Sequence, residues 1–251
     1  MEFVEYSNKV EMLRDMQATL NKLKQKHEAL ISQRDAYQEI TEDFVEFLPS
    51  VRQILLARRR KVLEGVCGPI AELIDVPEQV ENAIDSALGD RLQDIVVETV
   101  EHGIKAIRYL KPLGLGRATL ISLHSSNGEA PRADEAIPTR EMPGLIGKGI
   151  DLIEFDPKYR KVISSLMGDI LVVRTFDDAT RIATELHYRY RVLSLDGDAV
   201  VANGVIIGGS PPKKSATNLL RRKRRQKEIN SQIANVEQQI DEISEKINSI
   251  K

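Results

Sequence analysis

The sequence holds one cysteine (Cys67), no tryptophan and only 4% aromatic residues. A single thiol excludes an intramolecular disulfide and any zinc site built from several cysteines. No apolar run approaches the roughly 18 residues needed to cross a membrane. The opening stretch, MEFVEYSNKV, lacks the basic-then-apolar order of a secretion signal. A reducing, cytoplasmic setting is therefore expected. The four histidines, His27, His102, His124 and His187, stand at no metal-ligand spacing from one another or from Cys67. GLGRAT (114–119) and PGLIGKG (143–149) are glycine-rich, but no string reads GxxxxGK[ST], as a phosphate loop requires. No pair of carboxylates stands isolated in an apolar setting. The chain is not expected to be an enzyme, and no metal or cofactor is expected in it.

What is present is charge, unevenly placed. The 251 residues are 29% charged with a net charge of −2. Residues 52–64 nevertheless carry +4 and residues 213–227 carry +8, which leaves −14 for the remainder. Length allows one or two domains.

Both ends carry a helical seam. From Leu13 to Val62, fifteen positions recur at alternating steps of three and four, and eleven are apolar, including Leu20, Leu23, Leu30, Tyr37, Val51 and Leu55. His27, Arg34 and Thr41 interrupt the stripe. At the other end Ile229, Ile233, Val236, Ile240, Ile243, Ile247 and Ile250 follow the same spacing. A 3–4 stripe faces a partner helix, and one amphipathic helix does not bury its stripe alone. An intramolecular antiparallel coiled coil is expected, with 1–61 running in and 213–251 running out. Two separate helices laid on the middle domain are the plain alternative. Pro49 should kink or break the first helix. The heptads still run at Lys251, so the arm is expected to continue in a longer protein.

Residues 62–212 read differently. Short β-branched runs (95–97, 118–123, 170–173, 191–195) alternate with helical stretches (78–88, 101–110, 158–167, 177–187), which indicates a mixed helix–strand domain. The two halves resemble each other at an offset of 79: Leu73 and Leu152, Ile74 and Ile153, Ile84 and Ile163, Gly89 and Gly168, Asp90 and Asp169. Two subdomains follow, about 62–123 and 147–212, joined by a loop over 124–146 rich in Pro, Gly, Ser and Asn. A twinned domain whose sheet edge is left open can be capped by a second copy, closing a two-fold ring.

Two features stand out as sites. The first is the exit segment, where Gly204, Gly208 and Gly209 flank Val205, Ile206 and Ile207. Glycines beside a strand permit close approach of another backbone, so these six residues are the candidate dimer contact. An ordinary turn is the alternative. The second is the pair of basic stretches: Arg58, Arg59, Arg60 and Lys61, then Lys213, Lys214, Arg221, Arg222, Lys223, Arg224 and Arg225. Five consecutive helical residues turn through about 400°, so they should surround the helix instead of all pairing with one acidic face. Cations without interleaved aromatics suit phosphate backbones and do not read sequence. Sequence-tolerant DNA contact is the expectation, and a solvated charged collar the alternative.

The strings GVCGPIAELIDVPEQVENAIDSALGDRLQDIVVET, AIRYLKPLGLGRATLISL, GIDLIEFDPKYRKVISSLMGDILVV and YRYRVLSLDGDAVVANGVIIGGS, in that order between two arms, resemble the hinge of bacterial structural maintenance of chromosomes (SMC) proteins. The resemblance implies an α+β fold, a pair of pseudo-repeated subdomains flanked by two helices in an antiparallel coiled coil. It implies a homodimer joining two long arms, DNA binding where hinge meets arm, and a role in chromosome condensation and segregation at the nucleoid. ATP and magnesium would act at head domains outside this chain, and accessory subunits would bind elsewhere. The exit motif of that family reads close to DGDVVxPGGxMTGG. Asp196, Gly197, Asp198, Gly204, Gly208 and Gly209 match it, while Ala202, Asn203, Ile206 and Ile207 depart. The related hook architecture, which joins its arms by zinc through Cys-x-x-Cys, is excluded by the single cysteine. Two other readings stay open: a coiled-coil scaffold recruiting a protein partner, and a nucleotide-binding domain using the glycine-rich loops.

Overall fold

The computed structural model describes residues 2–42, 44–124, 142–209 and 218–250. The chain divides into a smaller unit, Met1–Glu42 with Arg225–Lys251, and a larger one, Asp43–Arg224.

The smaller unit is a helix pair. Helix α1 (Glu2–Glu42) lies beside the later turns of α8 (Asn218–Ile250). Leu30, Ile229, Ile233 and Val236 are buried together, with Leu23, Tyr37 and Ile240 packed around them. His27 Nε2 lies 3.0 Å from Glu237 Oε1, while Met12 and Met16 share a groove with Ile243 and Lys246. Early residues of one helix therefore meet late residues of the other, which makes the pair antiparallel. His27, on the stripe, is tolerated because its ring reaches a carboxylate across the pair.

The stripe does not continue to Val62. The first helix ends at Glu42, Phe44 adopts a left-handed backbone (φ 51), and Pro49 opens a separate helix, α2 (Pro49–Arg59). Proline suits the first helical turn, where its missing N–H has no intrahelical partner. Val51, Ile54 and Leu55 of α2 are buried in the core of the larger unit. Leu48 N donates to Gln93 Oε1 at 2.7 Å, and Ser50 Oγ to the Arg117 carbonyl at 2.6 Å. The 3–4 spacing across Pro49 joins two helices with different cores. The two compact units divide at 42/43 and 224/225.

The larger unit is α+β and internally duplicated. Half one has β1 (Val66–Pro69), α3 (Ile70–Leu73), β2 (Ile74–Asp75), α4 (Glu81–Leu88), β3 (Ile95–Val97), α5 (Val100–Leu110) and β4 (Leu120–Ser122). Half two has β5 (Leu145–Lys148), a 3-10 turn at Gly149–Leu152, β6 (Glu154–Phe155), α6 (Arg160–Met167), β7 (Ile170–Val173), α7 (Phe176–Glu185) and β8 (Arg191–Ser194). It then adds β9 (Ala199–Val200) and β10 (Ile206–Ile207). The sheet orders are β1-β3-β4 and β10-β9-β8-β7-β5. Strand β1 is antiparallel to β3 and β3 parallel to β4; likewise β5 is antiparallel to β7 and β7 parallel to β8. The equivalent strands β2 and β6 pair with each other, Ile74 opposite Phe155 and Asp75 opposite Glu154. This is the local two-fold axis.

The offset of 79 holds from β1/β5 through α4/α6 and then drops to about 76. Half one spells GDRLQDIVV where half two spells GDILVV, and the three extra residues follow Gly89 and Asp90, where half one makes the five-residue 3-10 turn Gly89–Gln93. Beyond it the local devices repeat at 76. Thr99 caps α5 by accepting from His102 N, and Thr175 caps α7 by accepting from Asp178 N. Gly65 (φ 68) and Gly144 (φ 87) leave room for those same two side chains, His102 and Asp178. The core lies between the halves, where Ile84, Leu88, Ile163, Leu166 and Met167 are buried. A second cluster sits under α7, including Val173, Ala179, Ile182, Val192 and Val200. The joining loop expected over 124–146 lies mostly outside the described residues, and its last two positions belong to β5.

Candidate functional site

The exit segment runs along the rim of the five-stranded sheet. Strand β10 pairs with β9, Ile206 opposite Val200 and Ile207 opposite Ala199, and ends the sheet order. Val205, Ile206 and Ile207 are 53%, 62% and 55% exposed. Three consecutive branched apolar residues on an open strand edge invite pairing with another chain. The turn that delivers them uses Asn203 at φ 61 and ψ 20, a conformation that asparagine tolerates better than most non-glycine residues.

The glycines divide. Gly204 (φ 74) sits near the Tyr188 ring, and around Gly209 (φ 114) a Cβ would meet nothing within 4 Å. Gly208 is different: a Cβ there would lie 2.5 Å from Asp198 Oδ1, the oxygen that accepts from Gly209 N at 3.0 Å. Its close approach is made within the chain, so the tight packing expected of it already has an occupant.

The basic stretches divide too. Arg221 Nε lies 3.3 Å from Glu81 Oε1, and Arg224 reaches Glu81 Oε2 at 2.7 Å and Glu78 at 3.3 Å. Arg222 lies 3.6 Å from Glu46. Lys223 Nζ meets Asp75 at 2.9 Å and caps the Glu72 and Ile74 carbonyls at 2.8 and 2.7 Å. Arg225 pairs along its own helix with Glu228 at 3.2 Å. The expectation is that five cations surrounding the helix do not all pair with one acidic face. Several segments of half one supply the carboxylates, so more than one side of the helix is met. Glu81, the chief acceptor, is buried.

At the end of α2, Arg58 is 3.8 Å from Glu72, and Arg59 is also engaged. Burial pushes the Glu72 carboxyl above its ordinary range, against the opposing pull of Arg58 and Lys223. Arg60 and Lys61 are exposed, and among the described residues neither has a carboxylate partner. Lys213 and Lys214 lie outside the described residues. Sequence reasoning missed the acids because they are scattered from 46 to 81 and only the fold gathers them. Cys67, on β1, is half-buried, with its thiol pushed up by burial and by the Glu98 charge. Among the described residues no group of three or more His, Cys, Asp or Glu is placed to hold a metal ion. No helix among them is long and apolar enough to cross a membrane.

The SMC proteins flexible hinge domain matches residues 63–183. The crystal structure of an asymmetric dimer of the Geobacillus stearothermophilus SMC hinge domain superposes with a TM-score of 0.85 at 30% identity, covering 98% of this chain and 97% of that one. This chain belongs to the SMC hinge family. The chromosome partition protein Smc of Desulfitobacterium hafniense is 36% identical over 196 residues, 77% of this chain and 16% of that protein. That of Bacillus subtilis is 34% identical over 178 residues, 71% and 15% respectively. The chain thus spans about a sixth of the length of the curated relatives it matches. It is a hinge domain with flanking helices.

Proposed function

We propose that this chain is the homodimerisation hinge of a chromosome-organising SMC ATPase, holding together two coiled-coil arms whose heads lie outside it. The observation that carries the reading is the exposed apolar strand Val205–Ile207 at a sheet edge. An edge of that kind is costly to leave in water and cheap to satisfy with a second copy. The Geobacillus hinge, a dimer by its description, supports the same assembly. Sedimentation equilibrium at micromolar concentration is expected to give twice the 28.2 kDa of one chain; a mass of one chain would end the reading.

DNA contact is the second part of the proposal. The geometry favours Arg60 and Lys61 as the phosphate contacts, because Arg221, Arg222, Lys223, Arg224 and Arg225 are already engaged with carboxylates. Arg58, Arg59, Lys213 and Lys214 remain candidates. Arg60→Glu with Lys61→Glu should weaken binding to duplex DNA of any sequence. It should also flatten the dependence of log affinity on log salt by about 2, near one unit per lost phosphate contact. An unchanged slope would leave those cations as ordinary solvated charges. A role in chromosome condensation and segregation, on the nucleoid in the cytoplasm, follows from this reading, with ATP and magnesium acting at the remote heads.

A further inference from the structure

The apolar stripe of α8 is nearly uniform. Ile229, Ile233, Ile240, Ile243, Ile247 and Ile250 share it with Val236. The stripe of α1 that faces it holds Leu13, Met16, Leu20, Leu23 and Leu30. Leucine and methionine exchange in a packed seam at small cost. A slide of one helix along the other by seven residues, about 10 Å, would set isoleucine where isoleucine stood. The apolar contacts would change little. Six residues, 43–48, separate α1 from α2, and they reach about 20 Å when extended. The length of that connection alone admits such a slide.

One position on the stripe breaks the uniformity with a contact across the pair. His27 lies between Leu23 and Leu30, and its Nε2 lies 3.0 Å from Glu237 Oε1. The imidazole is mostly covered, its side chain 27% exposed, while that of Glu237 is 55% exposed. A covered ring nitrogen deprived of its partner costs free energy that one facing water does not. A seven-residue slide takes Glu237 away and puts Asn230 or Ser244 in its place. Both are uncharged and shorter than glutamate. Arg34, the next polar residue along the stripe, does not discriminate. Its Nε and Nη2 reach Oδ1 of its neighbour Asp35 at 2.9 and 2.7 Å, a contact that travels with α1.

We propose that the His27–Glu237 pair fixes the register of the helix pair. It selects one alignment among those that the isoleucine stripe accepts. A polar residue at a single seam position specifies register at a cost in stability, and His27 carries that cost. The effect reaches beyond the pair, because one wrong heptad displaces every facing residue by the same distance. Both side chains belong to one chain, so the proposal is independent of the dimer reading.

The full chain tests this in a Cys67→Ser background, with two added cysteines and a cross-linker much shorter than a heptad. Met16 and Ile243 line one groove, so Met16→Cys with Ile243→Cys reports the observed register. Met16→Cys with Ile250→Cys, or with Val236→Cys, reports a slide of seven residues in either direction. With His27 and Glu237 in place, only the first pair should link within one chain. In His27→Leu the first link should fall to about half or below as registers of similar energy fill, and a slid pair should link. Melting of the helix pair should hold or rise, because leucine suits the seam. Glu237→Ala, at an exposed position, should spread the links in the same way. His27→Gln, whose amide can still donate to the carboxylate, should keep the first pattern. Linking of Met16 to Ile243 alone in either His27→Leu or Glu237→Ala would overturn the proposal and give the register to the connection through Phe44 and Phe47.

Discussion

Arg224 Nε donates to Glu81 Oε2 at 2.7 Å, and that carboxylate is buried, with Arg221 3.3 Å from its other oxygen. One carboxylate near the start of α4 thus anchors the first turns of α8. Removing one member of a buried pair leaves a charge without compensation, which costs about 3–5 kcal/mol when burial is complete. Arg224→Ala should fall toward the lower end, because Arg221 remains. Glu81→Gln should cost less than Glu81→Ala, since an amide still accepts from the guanidinium. Urea unfolding at neutral pH reads all three. An Arg224→Ala midpoint equal to wild type would mean that the basic segment is held by solvent alone.

Arg191 joins the two halves. It forms a two-pronged pair with Asp169, Nη2 to Oδ1 at 2.6 Å and Nε to Oδ2 at 2.9 Å. Its remaining donors reach the Ala87 carbonyl at the end of α4 and the Leu166 carbonyl at the end of α6, at 3.0 and 2.7 Å. Helix C-termini leave carbonyls without intrahelical partners, and one planar guanidinium serves both. Arg191→Ala should lower stability by about 1–3 kcal/mol. Arg191→Lys should recover little of it, because an ammonium lacks the planar fork that holds the carboxylate while reaching both carbonyls. Equal stability of the lysine variant and wild type would show that charge, not the fork, matters here.

Much of this was legible in the sequence, for particular reasons. The helix seam could be read because Leu30, Ile233 and Val236 obey a period set by backbone geometry. The duplication could be read because Ile84 and Ile163 occupy the same core position in each half. The short strands β2, β6, β9 and β10 could not be read, because two residues carry no period. Nor could the break before Pro49, since Val51 and Leu55 kept the spacing of the arm while packing into another core. The acids that meet Arg221 to Arg224 were hidden for a related reason. Glu46, Asp75, Glu78 and Glu81 come together only when β2 and α4 are folded beside the exit helix.

Acid should act on the hinge in a specific direction through Glu72. Its carboxyl is raised, first by burial and then by the Glu46 charge, with Arg58 and Lys223 opposing. A raised carboxyl binds its proton more readily in the folded protein than in the unfolded chain. Its charge therefore penalises folding at neutral pH, and that penalty fades as pH falls through the raised value toward about 4.3, the ordinary glutamate pKa. Glu72→Gln is expected to match or exceed wild-type stability at pH 7, with the advantage closing near pH 4. Denaturant midpoints at the two pH values check this. A variant that gained ground on acidification would reverse the sign.

Gly208 separates folding from assembly. Because a Cβ there would press on Asp198 Oδ1 at 2.5 Å, Gly208→Ala should disturb the bond from Gly209 N to that oxygen. The cost falls on the protomer, about 1–3 kcal/mol as for other overpacked contacts. Ile206→Asp meets no such neighbour, being exposed on the rim strand, and should leave protomer melting in place while lowering the sedimentation mass. Comparing the two by unfolding at a concentration where both are monomeric isolates the effect. If Gly208→Ala melted like wild type there, Asp198 would have room to move aside, and the glycine would be kept for a contact outside the protomer.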